Sequence, residues 1–198
     1  QAIEDIAIMR PIASMKVFAP CDVWEAQKVT YTISKIKGPC YVRYAREKTP
    51  VFTTEATPFE IGKAFAFWLE PEGTKPDVAI IACGPLLHNA ILAAAELEKD
   101  GVKVRVINSV SIKPMDEAAV IQAAKDAGRV VTVEEHQVSG GMGSAVAEVL
   151  AKNHPVPIEF IGVQNRFGES GEPNELVEHF GMGIKHIRAA VEKVIRRK

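Results

Sequence analysis

The sequence lacks the features that mark several classes of protein. Its 198 residues include only three cysteines, Cys21, Cys40 and Cys83, and none of them forms a Cys-x-x-Cys pair. This argues against a disulfide framework and against a zinc site. No apolar run approaches the roughly 20 residues that span a membrane, and no signal peptide is visible. We therefore expect a protein of the reducing cytoplasm, with no membrane partner.

The sequence also lacks an excess of charge of either sign. Lysine and arginine (24) nearly balance aspartate and glutamate (25), which leaves a net charge of −1. Because nucleic acids attract strongly basic surfaces, we expect no nucleic-acid partner. What the sequence does contain is 47% hydrophobic residues, enough for the core of one domain or slightly more.

The first 50 residues predict a strand, a helix and a second strand. The three pieces are "KVFA", "DVWEAQKVTYTISKI" and "CYVRYA". Asp22 can cap the helix, and Glu25 three residues later would complete a capping box. Such a unit normally joins parallel strands that are covered on both faces, which about 50 residues cannot achieve alone. Residues 1–50 are therefore predicted to be the end of a domain.

A strict alternation of strands and helices follows. Residues 51–75 are rich in proline, threonine and glutamate, as expected of a linker, with a boundary near Pro50. In residues 76–198, four strand patterns alternate with helical patterns: "DVAIIACG", "VKVRVINS", "RVVTVEEH" and "VPIEFIGV". This order predicts an α/β domain with a mostly parallel sheet.

Arginines near the end of "CYVRYARE" are the first candidate binding residues. Arg43 lies within the predicted strand, and Arg46 falls at or just beyond its carboxyl end, where ligands gather in open α/β sheets. A guanidinium there could hold a phosphate through two parallel hydrogen bonds. A surface ion pair with Glu47 is the alternative, and the spacing alone does not decide between them.

The segment "EEHQVSGGMG" is the second candidate. Its glycines, residues 140–143, match neither GxGxxG nor a P-loop, so they are predicted to shape a strand-to-helix turn, although a helix start can bind an anion. His136 has no nucleophile beside it in the sequence. Glu134 and Glu135 are predicted to accept hydrogen bonds from loop amides or a neighbouring subunit rather than to act as acid and base.

Four stretches together resemble the C-terminal part of transketolases, the thiamine-diphosphate enzymes that transfer two-carbon ketol units between sugar phosphates. The stretches are "QAIEDIAIMRPIASMKVFAPCD", "GPCYVRYARE", "DVAIIACG" and "VTVEEHQVSGGMGSAVAEVL". The resemblance implies that residues 1–50 end a partial α/β pyrimidine-binding domain. It also implies that residues 76–198 form a mostly parallel-sheet C-terminal domain of the transketolase type. "IEDIAIMRPI" favours transketolases that are encoded as separate subunits.

The resemblance also implies where the site residues lie. Arg46 matches the arginine that contacts substrate phosphate, and Arg43 is a second candidate because the related 1-deoxyxylulose-5-phosphate synthases place an arginine at that point. Ala45 stands where a serine is usual. Thiamine diphosphate and Mg²⁺ are held by upstream parts of these enzymes, so no cofactor is expected on this chain alone. The "EEHQVSGGMG" turn is expected to shape the domain and its subunit contacts, away from the thiazolium chemistry.

The resemblance thus implies a C-terminal fragment or subunit of a cytoplasmic transketolase of the pentose phosphate pathway, inactive alone. Its expected partners are an N-terminal transketolase domain or subunit and a second copy, which would form a homodimer through the C-terminal domain. The alternatives are a non-catalytic interaction module, like the C-terminal domain of a 2-oxoacid dehydrogenase beta subunit, or part of a deoxyxylulose-phosphate synthase. A nucleotide-binding regulatory domain that uses residues 140–143 is the weakest alternative.

Overall fold

The computed structural model of the chain describes residues 2–197, which form two β-sheets. The smaller sheet has the order β2-β1-β6, and the larger has the order β3-β5-β4-β7-β8. The eight strands are β1 (Lys16–Phe18), β2 (Cys40–Val42), β3 (Phe65–Trp68), β4 (Val78–Ala82), β5 (Val104–Asn108), β6 (Ser111–Lys113), β7 (Val130–Gln137) and β8 (Ile158–Val163).

The described part of the chain also contains seven α-helices. They are α1 (Asp5–Met9), α2 (Val23–Ile33), α3 (Leu87–Lys99), α4 (Glu117–Ala127), α5 (Met142–Asn153), α6 (Pro173–His179) and α7 (Ile184–Arg196). A 3-10 turn at Gly84–Leu86 leads into α3. Within residues 2–197, none of these helices is both long and apolar enough to cross a membrane.

The larger sheet is buried on both faces, which explains its apolar strands. Every residue of β4 is buried, and successive side chains point to opposite faces of the sheet. Ile80 packs in the core that contains α3 and α7, and Ile81 packs in the core that contains α4 and α5. Since a fully buried isoleucine contributes about 1.5–3 kcal/mol, this strand is a major source of stability.

The predicted mixed α/β fold with a mostly parallel sheet is confirmed. Strand β4 pairs in parallel with β5 and β7, and β7 pairs in parallel with β8. The exception is β3, which runs antiparallel to β5 at one edge and lies inside the predicted linker. Arg105 on β5 holds this edge through Glu70 and also pairs with Asp126 on α4.

The smaller sheet contains the predicted strand-helix-strand unit. Strands β1 and β2 are parallel and are joined by α2, while β6 runs antiparallel to β1 from the other half of the chain. The Ala19 amide donates to the Val110 carbonyl at 2.9 Å, which extends this contact. The division into residues 1–50, 51–75 and 76–198, and the assignment of the first to a pyrimidine-binding domain, stay predictions.

Only half of the predicted capping box forms at the start of α2. The Asp22 carboxylate accepts the Glu25 amide at 3.2 Å, as a helix cap does. The Glu25 carboxylate, however, accepts the Cys21 amide at 2.7 Å and the Asn108 side-chain amide at 2.6 Å. Glu25 is 3% exposed, and this burial raises its pKa. The residue therefore ties α2 to the end of β5 instead of closing the box.

Candidate functional site

An open α/β sheet normally binds its ligand at the carboxyl ends of its strands. In the larger sheet, Ala19 and Glu25 cover two of these strand ends. At the end of β4, the Gly84 amide donates to the Ala19 carbonyl at 3.0 Å. At the end of β5, Asn108 contacts the buried Glu25 carboxylate. Protein groups thus take the positions that a ligand would take at these two strand ends.

The Glu134 side chain caps the start of α5. Its carboxylate accepts the amides of Met142 at 2.6 Å and Gly143 at 2.8 Å, and the residue is 1% exposed. Burial raises the pKa of Glu134 to about 7, although these two amide bonds act in the opposite direction. The prediction that Glu134 accepts hydrogen bonds from backbone amides is confirmed, although the donors are the first amides of α5, and for Glu135 it stays a prediction. The amides that a nucleotide phosphate would need are occupied, which argues physically against the nucleotide-binding alternative.

His136 caps a second helix from the same face of β7. Its Nε2 accepts the amides of Ile6 at 3.1 Å and Ala7 at 3.4 Å in the first turn of α1. Its Nδ1 lies 2.6 Å from the Gln137 carbonyl, so Nδ1 carries the proton of a neutral imidazole. Burial lowers the pKa of His136, which also favours the neutral form. Both ring nitrogens are therefore engaged in structural hydrogen bonds and not in acid–base chemistry.

Arg43 is held by an acidic partner from α1. Its Nε lies 3.2 Å from Asp5 Oδ1, and its Nη2 donates to the Ala2 carbonyl at 3.4 Å. The Tyr41 hydroxyl donates to Asp5 Oδ2 at 2.7 Å, and burial together with this bond raises the pKa of Tyr41 to about 12. Because the Arg43 side chain is only 14% exposed, it is anchored rather than open to a ligand.

Arg46 is exposed, in contrast to Arg43. Its side chain is 72% accessible, and its ionic partner among residues 2–197 is Glu47 at 3.8 Å, beyond hydrogen-bond distance. Such an exposed pair contributes roughly 0–1 kcal/mol, so little would be lost if an anion replaced Glu47. The two candidate arginines therefore differ: the structure commits Arg43 to internal contacts and leaves Arg46 available.

Two glycine turns at the starts of helices, before α3 and before α5, do not fit the diphosphate of thiamine diphosphate. One glycine turn has its Gly84 amide taken by the Ala19 carbonyl. The other turn holds the Glu134 carboxylate so closely that a Cβ at Gly141 would overlap it. Neither turn can accept a diphosphate without displacing a buried contact, and we derive no step of that cofactor's chemistry from these residues.

Comparison with known proteins gives consistent matches, which for the relatives cover nearly the whole chain and for the family model its larger part. The family model "Transketolase, C-terminal domain" matches residues 69–187. A 6-deoxy-6-sulfo-D-fructose transketolase subunit from a Clostridium strain is 40% identical over 197 residues, covering 100% of this chain. One subunit of the apulose-4-phosphate transketolase of Phocaeicola vulgatus is 35% identical over 98% of this chain. A solved structure described as a split gene transketolase, inactive beta4 tetramer, superposes with a TM-score of 0.92 at 38% identity, covering 98% of this chain.

The chain spans only part of each of these proteins. It covers 60% of the Clostridium subunit, 61% of the Phocaeicola subunit and 62% of the chain of the split gene transketolase. The family model matches more than half of the chain and includes strands β4, β5, β7 and β8 of the larger sheet, but not its edge strand β3. The chain therefore belongs to the transketolase family, as part of its C-terminal region.

Proposed function

We propose that the chain is the C-terminal part of a transketolase subunit whose complete enzyme transfers two-carbon ketol units between sugar phosphates. This proposal is supported by relatives that are themselves named as transketolase subunits. One is a subunit of a 6-deoxy-6-sulfo-D-fructose transketolase, and another is a subunit of an apulose-4-phosphate transketolase. The complete enzyme would use thiamine diphosphate and Mg²⁺, held by parts other than the residues described above. A cytoplasmic location and a place in the pentose phosphate pathway stay predictions.

An N-terminal transketolase subunit or domain is the proposed partner of this chain. The solved relative is described as an inactive tetramer of its beta chain, so that protein assembles with itself and lacks activity in that state. By analogy, we propose that this chain also self-associates as a homodimer and gains activity only with its N-terminal partner.

The exposed guanidinium of Arg46 is the observation that supports a substrate role. It follows the carboxyl end of β2, and its side chain is 72% accessible. A guanidinium can grip a phosphate through two charge-assisted hydrogen bonds. Arg43 uses its Nε and Nη2 for Asp5 and Ala2, so its contribution to phosphate binding is indirect, through the shape of this strand end. We assign substrate phosphate contact to Arg46.

Replacing Arg46 with alanine in the assembled enzyme is expected to raise KM for a phosphorylated sugar by about tenfold or more. The reason is that hydrogen bonds to charged groups contribute about 1.5–3 kcal/mol, and 1.4 kcal/mol corresponds to a factor of ten. Steady-state kinetics with phosphorylated and unphosphorylated acceptors measure the effect. Only the phosphorylated acceptor should respond to R46A.

Arg166 supplies a matched control for this experiment. It is a surface arginine, 45% exposed, in the loop that follows β8. R166A should leave KM unchanged for both acceptors. An R46A enzyme with the wild-type KM for the phosphorylated acceptor would contradict the assignment.

A further inference from the structure

We propose that His136 is a positioning residue through which the larger sheet sets the geometry of the phosphate-binding edge. This inference rests on the proposed role of Arg46. The path runs from His136 on β7 to the first turn of α1, from there through Asp5 to Arg43, and along the chain to Arg46.

The first step of the path is the anchoring of α1 at both ends. At its start, the amides of Ile6 and Ala7 donate to His136 Nε2 at 3.1 and 3.4 Å. At its end, Arg10 Nη1 donates to the Gly140 carbonyl at 2.7 Å, and Arg10 Nη2 donates to Glu148 at 2.8 Å. A helix of five residues has little stability of its own, so these contacts fix its position.

The second step is the carboxylate that α1 presents to the smaller sheet. Asp5 is 8% exposed and contacts two side chains of one strand end, the Tyr41 hydroxyl at 2.7 Å and Arg43 Nε at 3.2 Å. Tyr41 and Arg43 are two residues apart and so lie on the same face of the extended chain. A shift of α1 would therefore move Arg43 and the backbone that leads to Arg46.

Two substitutions of His136 separate the hydrogen bonds from the bulk of the ring. The side-chain carbonyl oxygen of glutamine reaches the position of Nε2 and can still accept hydrogen bonds from the α1 amides. The side chain of asparagine is shorter and reaches only the position of Nδ1. T132V is the matched control, because Thr132 is a buried residue on the same face of β7 and its hydroxyl makes no hydrogen bond within residues 2–197.

Two measurements test the proposal, and the comparison of H136N with matched variants separates its effect from a general loss of stability. The first is hydrogen exchange of the Arg43 Nε–H, observed by NMR in this chain. The second is KM for a sugar phosphate in the assembled enzyme. H136N should speed the exchange and raise KM, each by about fivefold, the size expected for one lost hydrogen bond, with kcat nearly unchanged. H136Q and T132V should stay within about twofold of wild type in both measurements.

Equal effects of H136N, H136Q and T132V would overturn the proposal, as would an H136N protein with wild-type exchange and KM. D5A tests the same path if H136N fails to fold, because it removes the carboxylate that links α1 to Tyr41 and Arg43 and leaves His136 and the α1 amides in place. It should reproduce the rise in KM, and an unchanged KM would overturn the proposal. Faster Arg43 exchange in H136N together with an R46A enzyme of unchanged KM would support the positioning path and instead refute the phosphate role of Arg46.

Discussion

Alanine at Gly141 is expected to lower the free energy of unfolding by about 3 kcal/mol or more. A Cβ there would overlap the Glu134 carboxylate and lie 2.7 Å from the Gln137 carbonyl. Neither neighbour can move freely, because Glu134 is buried and holds the start of α5, and the carbonyl belongs to the backbone. Overpacking costs about 1–3 kcal/mol, and broken buried hydrogen bonds add to it. Urea unfolding at pH 7 measures the loss.

Gly183 is the matched control for this prediction. It occupies the same N-cap position, before α7, with the same φ of −74° as Gly141 before α5. A Cβ at Gly183 would overlap only the end of the Glu178 side chain, which is 46% exposed and can turn towards solvent. G183A should cost less than about 1 kcal/mol. Equal losses for G141A and G183A would show that the buried Glu134 contact is not what limits the turn.

Alanine at Asp22 is expected to cost about 3–5 kcal/mol. The carboxylate is 4% exposed and accepts four hydrogen bonds, from the Thr53 hydroxyl (2.6 Å), the Thr53 amide (2.7 Å), the Phe52 amide (3.0 Å) and the Glu25 amide (3.2 Å). Its removal leaves several buried donors without an acceptor, each of which costs about 1–3 kcal/mol. Urea unfolding of wild type and D22A at pH 7 gives the difference directly.

The cost of D22A should shrink in acid. Burial raises the pKa of Asp22, but the hydrogen bonds from Thr53, Phe52 and Glu25 outweigh it, so the pKa is lowered below 3.8. A lowered carboxylate pKa gives stability that is present above the unfolded-state pKa and is lost as pH falls through the folded-state pKa. D22N keeps one acceptor oxygen and should fall between wild type and D22A at pH 7. A D22A protein within about 1 kcal/mol of wild type at pH 7 would contradict this account.

Much of the fold could be predicted from the sequence, because the local pattern of apolar residues and turn residues agrees with which residues the structure buries and where its helices end. Strand β4 of the larger sheet is a continuous apolar run, and every one of its residues is buried. The helix α4 ends at Gly128, whose φ of 69° places it in the left-handed region that favours glycine. An apolar strand and a glycine at a helix end can both be recognised from a few neighbouring residues of the sequence.

Two strands could not be predicted, because their partners are distant in sequence. Strand β6 has only three residues, "SIK", and its pairing with β1 depends on how the two halves of the chain pack. Strand β3 has four residues inside a segment whose proline, threonine and glutamate content indicates a linker. Neither is long enough to show a period of two.

The site was predictable only in part, for the same reason. Arg46 at a strand end could be identified from position, and the structure leaves it exposed. The ion pair of Arg43 with Asp5 joins residues that are 38 positions apart, and the cap by His136 on Ile6 joins residues that are 130 apart. No local pattern marks such contacts, although the spacing of Glu134 and His136 does place both on one face of a strand.

Reconstitution of ketol transfer tests the central claim most directly. The native protein that contains this chain is purified and combined with an N-terminal transketolase subunit, thiamine diphosphate and Mg²⁺. We expect transfer of a two-carbon unit between sugar phosphates by the mixture and by neither component alone. A stable complex without any ketol transfer, or preferential capture of a lipoyl-bearing partner, would contradict the account and favour an interaction module.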